Sequence, residues 1–403
     1  MVSLSDIIKG IPASATLAAS QRANELKAQG RDVISFTVGE PDFDTPPHIK
    51  AAAIEALEKG LTKYTATNGI LPLREEICKK LKRDQGIDYK PSEVIVTNGG
   101  KQALAAALAV LLNPGDEVVI PAPYWTSYPD MVKLVSGVPV IVETTAANGY
   151  LATPEALCKA CTAKTRVVII NSPSNPTGGA YSGAELKAIA QALAKLPNRD
   201  QIVILLDEVY EYITFDGFKH ESLLTVAPEW RANTVLVNAF SKAYSMTGWR
   251  VGYAVGPKFI IDAMNTHQSQ FTSNVCSIAQ YAAVKAYDDG YAFPRMMQSE
   301  FQKRLELVIA AVEEMPGIKL STKPRGAFYA FLEVDGLLGK KSGTKTITCG
   351  EDFAAYLLDE FDVVTVQGEA FGAPAAVRIS FALHPDLLKK GLERIKQAAE
   401  RLQ

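Results

Sequence analysis

Histidine is scarce in this 403-residue chain: His48, His220, His267 and His384 are the only four, and they lie far apart. That spacing argues against a histidine-rich metal centre, and no metal is expected. Cysteine is nearly as rare. Five cysteines are an odd number in a long chain, so no disulfide framework is implied. Cys158 and Cys161 form one C-x-x-C pair in a helix-like stretch, Pro154 to Ala163, with no second pair and no nearby histidine. A redox or metal half-site is one reading of that pair and plain helix packing is the other. An excess of one charge is missing too. The net charge of −2 offers neither a nucleic-acid footprint nor a membrane-surface patch. No apolar run approaches the roughly 20 residues that a membrane-crossing helix needs. Ile7 to Leu17 is broken by Lys9, Gly10 and Pro12, with no cleavage pattern after it, so no secretory leader is expected and a cytoplasmic location is. There is no internal repeat and no low-complexity segment.

What is present is a globular composition, 47% hydrophobic and 21% charged, long enough for a large core and two domains. Short apolar runs alternate with helical patterns through the middle. Strands are expected at Glu93–Asn98, Glu117–Pro121, Val138–Glu143, Arg166–Asn171, Gln201–Leu206, Thr234–Asn238 and Val251–Val255. Helices are expected at Lys101–Leu112, Pro154–Ala163 and Gly183–Leu196. Several of the strands are continuously apolar, as strands covered on both faces are. The succession predicts an α/β fold with a mostly parallel sheet. The ends differ. Residues 1–47 hold one helix pattern (Leu17–Gln29), a short strand (Val33–Val38) and a Pro-rich turn at Pro41, Pro46 and Pro47. Beyond about residue 290 come long helices (Pro294–Glu314, Glu351–Glu360, Pro385–Leu402) and short strands at Phe328–Val334 and Ala376–Phe381. The expected division is therefore a large domain over 48–290 and a smaller α+β domain built from 1–47 and 291–403.

Polar residues collect where the parallel strands end, which is where ligands sit in open α/β sheets. Lys242 follows an apolar run, Thr234 to Phe240, with Ser241 before it and Arg250 and Gly252 after it. A lysine leaving a core strand is costly unless its amine has a task. A Schiff base with an aldehyde cofactor, its anion held by Ser241 and Arg250, is such a task. Thr97 to Gln102 places Gly99 and Gly100 between strand and helix, which makes either a phosphate cradle or a plain turn. Asn171 to Gly178 is proline-stiffened and presents Asn175 from an extended loop. Asp207 ends a run of aliphatics and needs a partner, either a protonated ring nitrogen or a helix N-terminus. Tyr210 is close enough to reach the same ring. Trp125 can stack on a flat ring or pack in the core. Arg378 interrupts an apolar strand and can pair with a substrate carboxylate or with a structural acid.

Taken together, these segments resemble the class I, fold-type-I pyridoxal-phosphate aminotransferases, and more narrowly the bacterial-type aspartate aminotransferases. The likeness extends from Pro12–Leu17 and Phe36–Phe43 through Lys63–Thr65, Gly99–Leu104, Pro123–Trp125, Asn175–Gly178, Asp207–Tyr210 and Ser241–Gly252 to Arg378. It implies a three-layer fold, a mostly parallel sheet with helices on both faces, and pyridoxal 5'-phosphate bound covalently to Lys242. It further implies that Asp207 pairs with the ring nitrogen and that Tyr210 and Asn175 bond the phenolic oxygen. Gly100, Lys101, Ser241 and Arg250 would hold the phosphate. Tyr64 would reach the phosphate of a neighbouring subunit, which implies a homodimer with shared sites. Arg378 would bind the substrate α-carboxylate, with Gly39, Asn175 and Trp125 nearby. The side-chain arginine that animal-type relatives take from the partner subunit has no equivalent motif here, and Lys101 with Ser14–Thr16 resembles the bacterial-type substitute. The implied activity is ping-pong transamination between L-aspartate and 2-oxoglutarate, giving oxaloacetate and L-glutamate. Amino acids and 2-oxo acids are the implied partners, with no nucleic acid and no membrane. An aromatic or prephenate substrate, a lyase on the same scaffold and a non-catalytic ligand-binding protein are the competing readings.

Overall fold

A computed structural model describes residues 2–403. Along the chain, α1 (Asp6–Lys9) and α2 (Ala15–Ala28) precede a two-residue strand, β1 (Ile34–Ser35). Then follow α3 (Pro47–Glu58), α4 (Leu71–Gln85), β2 (Val94–Thr97), α5 (Gly100–Leu111), β3 (Glu117–Ala122), α6 (Ser127–Leu134) and β4 (Val138–Glu143). Next come α7 (Pro154–Ala160), β5 (Thr165–Asn171), α8 (Gly183–Leu193), β6 (Val203–Asp207), α9 (Leu223–Val226), β7 (Thr234–Ala239), α10 (Phe240–Ala243) and β8 (Gly252–Val255). After α11 (Lys258–Phe271), α12 (Ser277–Val284) and α13 (Ala292–Glu313) comes β9 (Tyr329–Glu333). The chain closes with a hairpin of β10 (Lys341–Ser342) and β11 (Lys345–Thr346), then α14 (Gly350–Phe361), β12 (Val363–Val364), β13 (Val366–Gln367), β14 (Ala376–Ser380) and α15 (Pro385–Arg401).

The main sheet runs β2-β8-β7-β6-β5-β3-β4. Strands β4, β3, β5, β6 and β7 pair in parallel, and β8 is antiparallel to both of its neighbours, β7 and β2. The central strands β6 and β7 are buried at every position, as their unbroken aliphatic runs require. The register sets Asn171 beside Asp207 and Asp207 beside Val237, so β5 and β6 deliver their C-terminal residues to one place against β7. A second apolar cluster joins Ile34 and Phe36 to Phe301, Phe353, Leu392 and Ile395. The three-stranded antiparallel sheet β13-β14-β9 packs Phe331, Val366 and Ala376 in a separate cluster with Phe371 and contributes Ala330, Leu332, Val377 and Ile379 to this second one. Helix α15 suits that cluster because Leu388, Leu392, Ile395 and Ala399 recur on one face, while Asp386 and Arg401 sit at the ends that their charges favour. Among the described residues, no helix is long and apolar enough to cross a membrane.

Several expectations change. The strand expected at Val33–Val38 is only Ile34–Ser35, because its sole ladder partner is the equally short β12. Pro46 and Pro47 do not make a turn: Pro46 caps α3 and Pro47 is its first residue, where the missing N–H costs nothing. The stretch expected to be helical to Ala163 stops at Ala160, with Cys161 extended at its end. Both cysteines there are half-buried, and burial pushes the Cys161 thiol up to about 11, which is the behaviour of a packing residue. The loop after β5 is compact rather than extended, closed by Ser174 N–H to Gly179 O (2.8 Å) and Gly178 N–H to Ser174 O (2.9 Å). Helices α3, α4, α6, α11 and α12 are additions to the elements expected.

Candidate active site

Lys242 stands on the single turn α10, directly after β7. Its amine donates to the carbonyl of Gly39, on the segment after β1. Burial of the ammonium is the main cause that lowers its pKa to about 8. Arg250 and Arg378 act in the same direction, against the carboxylates of Glu40 and Asp207. A lysine with an ordinary pKa is almost wholly charged at pH 7.5, whereas this one is roughly 200-fold richer in the neutral, nucleophilic form. Reductive methylation of the ligand-free protein at pH 7.5 is therefore expected to modify Lys242 ahead of the surface lysines. Peptide mass mapping checks this, and Lys242 labelling no faster than Lys27 or Lys159 would contradict the depressed pKa.

Asp207 is the last residue of β6 and is 5% exposed. Its Oδ2 accepts from the Tyr128 hydroxyl at 2.7 Å and its Oδ1 from the Val209 amide at 3.3 Å. Burial raises its pKa to about 6 in spite of both bonds. Asn171 fixes the same corner, donating through Nδ2 to the Asp207 carbonyl (3.0 Å) and accepting from the Asn175 amide (3.0 Å). Tyr210 is buried one turn beyond, its hydroxyl 2.9 Å from that of Tyr329 on β9.

Arg378, in the middle of β14, is 1% exposed. Nη1 donates to Asn175 Oδ1 at 3.0 Å and Nη2 to the Thr37 carbonyl at 2.8 Å. The guanidinium lies between two rings, 4.5 Å from the Tyr329 centroid and 5.1 Å from that of Phe371. Its Nε is buried without a partner. No acid among the described residues contributes to its environment; burial and two tyrosines do. A salt bridge to a structural carboxylate, the ordinary use of such an arginine, is absent among the described residues. What remains is a buried cation with unused donors, a combination that favours an incoming anion.

At the N-terminus of α5, Gly99 has φ +80°, and a Cβ there would come within 2.5 Å of Arg250 Nη2. Glycine is thus required for the guanidinium to lie against this turn. Arg250 donates to Thr247 O (2.8 Å) and Asn98 O (3.2 Å), beside the first amides of α5 at Gly100 and Lys101. Ser241 is buried on α10. A cavity of about 600 Å³ opens here, lined by Asn98, Arg250, Trp249, Thr45 and Cys276. Fixed positive charge and free helix N–H groups suit a phosphate. The Lys101 amine stands 4.9 Å from the Trp125 ring centroid, its pKa lowered by burial and by Arg250.

The structure therefore joins Lys242, Gly39, Asp207, Tyr210, Asn175 and Arg378 through direct contacts or one intermediary, with Gly100, Arg250 and Ser241 alongside. Lys101 and Trp125 form a second pair. Tyr64 stands apart, 90% exposed. Tyr128, which holds Asp207, and Tyr329, which holds Tyr210 and stacks on Arg378, are new to the site, as is the bond from Asn171 to the Asp207 carbonyl. Tyr128 is one helical turn past Trp125, its ring edge-on to it at 5.4 Å. That spacing is the only signal of it in the sequence.

Similarity to known proteins is extensive. The family described as Aminotransferase class I and II matches residues 31–395. The aspartate aminotransferase of Geobacillus stearothermophilus is 47% identical over 393 residues, 98% of each chain. The aspartate/prephenate aminotransferase of Cereibacter sphaeroides is 47% identical over 397 residues, again 98% of each. The crystal structure of the aspartate aminotransferase from Rhizobium meliloti superposes with TM-score 0.96 at 42% identity, covering all of both chains. The Thermus thermophilus enzyme with maleate gives 0.91 at 38%, covering 99% of this chain and all of that one.

Proposed function

Because the chain belongs to the class I and II aminotransferase family, we propose that it moves the amino group of L-aspartate to 2-oxoglutarate, yielding oxaloacetate and L-glutamate by a ping-pong route with pyridoxal 5'-phosphate on Lys242. One observation carries the reading: the buried, acid-free Arg378 is linked through Asn175 and Asn171 to the buried Asp207, on the strand next to the one that leads into Lys242. These residues fit the cofactor. Lys242 offers the amine for its aldehyde. Asp207, uncomfortable as a lone buried anion, gains a partner in a cationic ring nitrogen. Arg250, Ser241 and the first amides of α5 suit its phosphate. When bound, pyridoxal phosphate supplies an aldehyde for amines and a ring that accepts an electron pair.

The chain's own residues do the rest. Arg378 binds the α-carboxylate and, held by Thr37 and Asn175, sets the direction of the Cα–H bond. Lys242 Nζ is the base that would take the Cα proton and deliver it to the carbon that was the cofactor's aldehyde. Tyr128 and Asn171 keep Asp207 aimed at the ring nitrogen. Burial of Arg378, Thr37, Asn175, Tyr128 and Asp207 limits competition from water.

The names of the relatives support aspartate. Lys101 beside Trp125, with the Ser14–Thr16 segment at the start of α2, is the candidate reader of the side-chain carboxylate. Relatives named for both aspartate and prephenate favour the latter as a second substrate. The exposed Tyr64, with Leu17 and Phe271 also exposed, supports a homodimer with shared sites. Division into a large domain (48–290) and a small one (1–47 with 291–403), and a cytoplasmic setting, belong to the same reading.

A panel of amino donors and 2-oxo acids, followed by the absorbance of the loaded protein, tests it. Conversion by aspartate and 2-oxoglutarate is expected, and inertness toward both would refute it. Arg378→Ala is expected to lower kcat/KM for aspartate about 100-fold, mostly through KM, as losing a buried charge-paired hydrogen bond does. Unchanged kcat/KM would remove Arg378 from the site.

A further inference from the structure

Glu208 follows Asp207 and Glu211 follows Tyr210, and both are buried acids that the reaction does not use. Lys80, a wholly buried residue of α4, answers one of them: its Nζ lies 2.6 and 2.5 Å from the two oxygens of Glu211. Gln85, at the end of the same helix, donates at 3.0 Å to Oε2 of both acids. Asn238 Nδ2 donates to Glu211 Oε1 at 2.6 Å, and Asn238 lies on β7 four residues before Lys242. The Glu208 amide bonds the Val237 carbonyl of the same strand at 3.0 Å. Glu208 faces His220, whose Nε2 is 3.3 Å from Oε2 and whose side chain is 6% exposed.

These groups have the ligand types of a metal centre, with atoms of Glu208, Glu211 and His220 within 4.8 Å of one another. The Lys80 ammonium, bonded to both oxygens of Glu211, already supplies the positive charge there. The remaining acid nearby, Asp84, is 3.9 Å from Lys80 and is itself met by Arg83 and by the hydroxyls of Tyr212 and Tyr291. The inner set is thus two carboxylates and one ammonium, and it is neutral only when His220 carries a proton. Burial, the largest single influence, would strip that proton, but the Glu208 charge, the hydrogen bond to it and the Glu211 charge together hold the imidazole above its ordinary range.

We propose that Lys80 and His220 are positioning residues, the cationic half of a buried four-charge tie that locks the 207–211 turn onto β7 and so sets Asp207 relative to Lys242. The proposal rests on the assignment of Asp207 and Lys242 as catalytic groups. Its first test needs no turnover. In cofactor-free protein with His48, His267 and His384 changed to Gln, the single remaining imidazole is followed by nitrogen-edited NMR from pH 6 to 9. The imidazole is expected to titrate above the same histidine in denatured protein, and a midpoint at or below that reference would overturn the charge count. The second test is kinetic. Lys80→Met is expected to lower kcat about 10- to 100-fold, the cost of a small misplacement of reacting groups, with KM for aspartate within about threefold. The paired variant Lys80→Met with Glu211→Gln removes both charges together, so it serves if the single variant does not fold, and kcat should fall there too. A folded variant matching wild-type kcat sinks the tie while the aminotransferase reading stands. Wild-type protein with no turnover sinks that reading, and the imidazole titration still decides the charge count.

Discussion

On the proposed function, Lys242→Ala is expected to lose at least ~10⁴-fold in turnover, the upper end of what one positioned base contributes, because the same nitrogen would also anchor the cofactor. The fold should survive. The amine's hydrogen bond is to the Gly39 carbonyl, and removing a buried ammonium relieves a desolvation cost. Near-wild-type far-ultraviolet circular dichroism with no detectable steady-state product is therefore the predicted combination. Single-turnover absorbance with aspartate separates loss of anchoring from loss of proton transfer. The variant should still take up cofactor non-covalently and then stall. Sustained turnover within tenfold of wild type would falsify the assignment of this lysine.

For Asp207→Asn the expected rate loss is on the order of 10³-fold, at the top of the range for removing one preorganised electrostatic partner. Its stability signature runs the opposite way. In the cofactor-free protein the Asp207 carboxyl titrates at about 6 against an ordinary 3.8, chiefly because it is buried. The unfolded chain therefore gives up this proton at lower pH than the folded one does. Between pH 4 and 6 the folded state binds more protons, so stability falls as pH rises, and above pH 6 the whole cost is present. A shift of that size is worth about 3 kcal/mol. Asparagine keeps an acceptor for the Val209 amide, can donate through its NH2 to the Tyr128 hydroxyl, and carries no charge. The cofactor-free variant is thus expected to melt higher than wild type at pH 7, and to gain less from added pyridoxal phosphate. A variant that melts lower in both states would mean that Asp207 serves the fold rather than the ring.

The strands were legible because β5, β6 and β7 are built on the unbroken aliphatic runs Val167–Ile170, Val203–Leu206 and Val235–Val237, as a sheet covered on both faces asks. Lys242, Asp207 and Arg378 stood out for the complementary reason: each places a charge at or within such a run, where charge has no cheap explanation. The helices that escaped were harder for physical causes. Helix α3 buries Ile49, Ala53 and Ala56, and alanines give a faint apolar stripe. In α4, Leu73, Ile77 and Leu81 do recur every four residues, but charged neighbours and Pro72 obscure them. Tyr128 and Tyr329 read as core aromatics, and they are core aromatics. That their hydroxyls meet Asp207 and Tyr210 depends on elements brought together only by the tertiary fold. Lys80 shows the same limit more sharply, since nothing near it in the chain reveals that its counter-charge lies 131 residues away.

The parallel pairing of Ile34–Ser35 with Val363–Val364 has a consequence in time. Roughly 330 residues must be synthesised between the two strands, on the order of tens of seconds at ordinary elongation rates. Throughout that interval Thr37 and Gly39 have no fixed place, because Arg378 and the β12 ladder do not yet exist. The nascent polypeptide therefore lacks the bonds from Arg378 to Asn175 and Thr37 until the last stretch of chain has emerged and met the beginning.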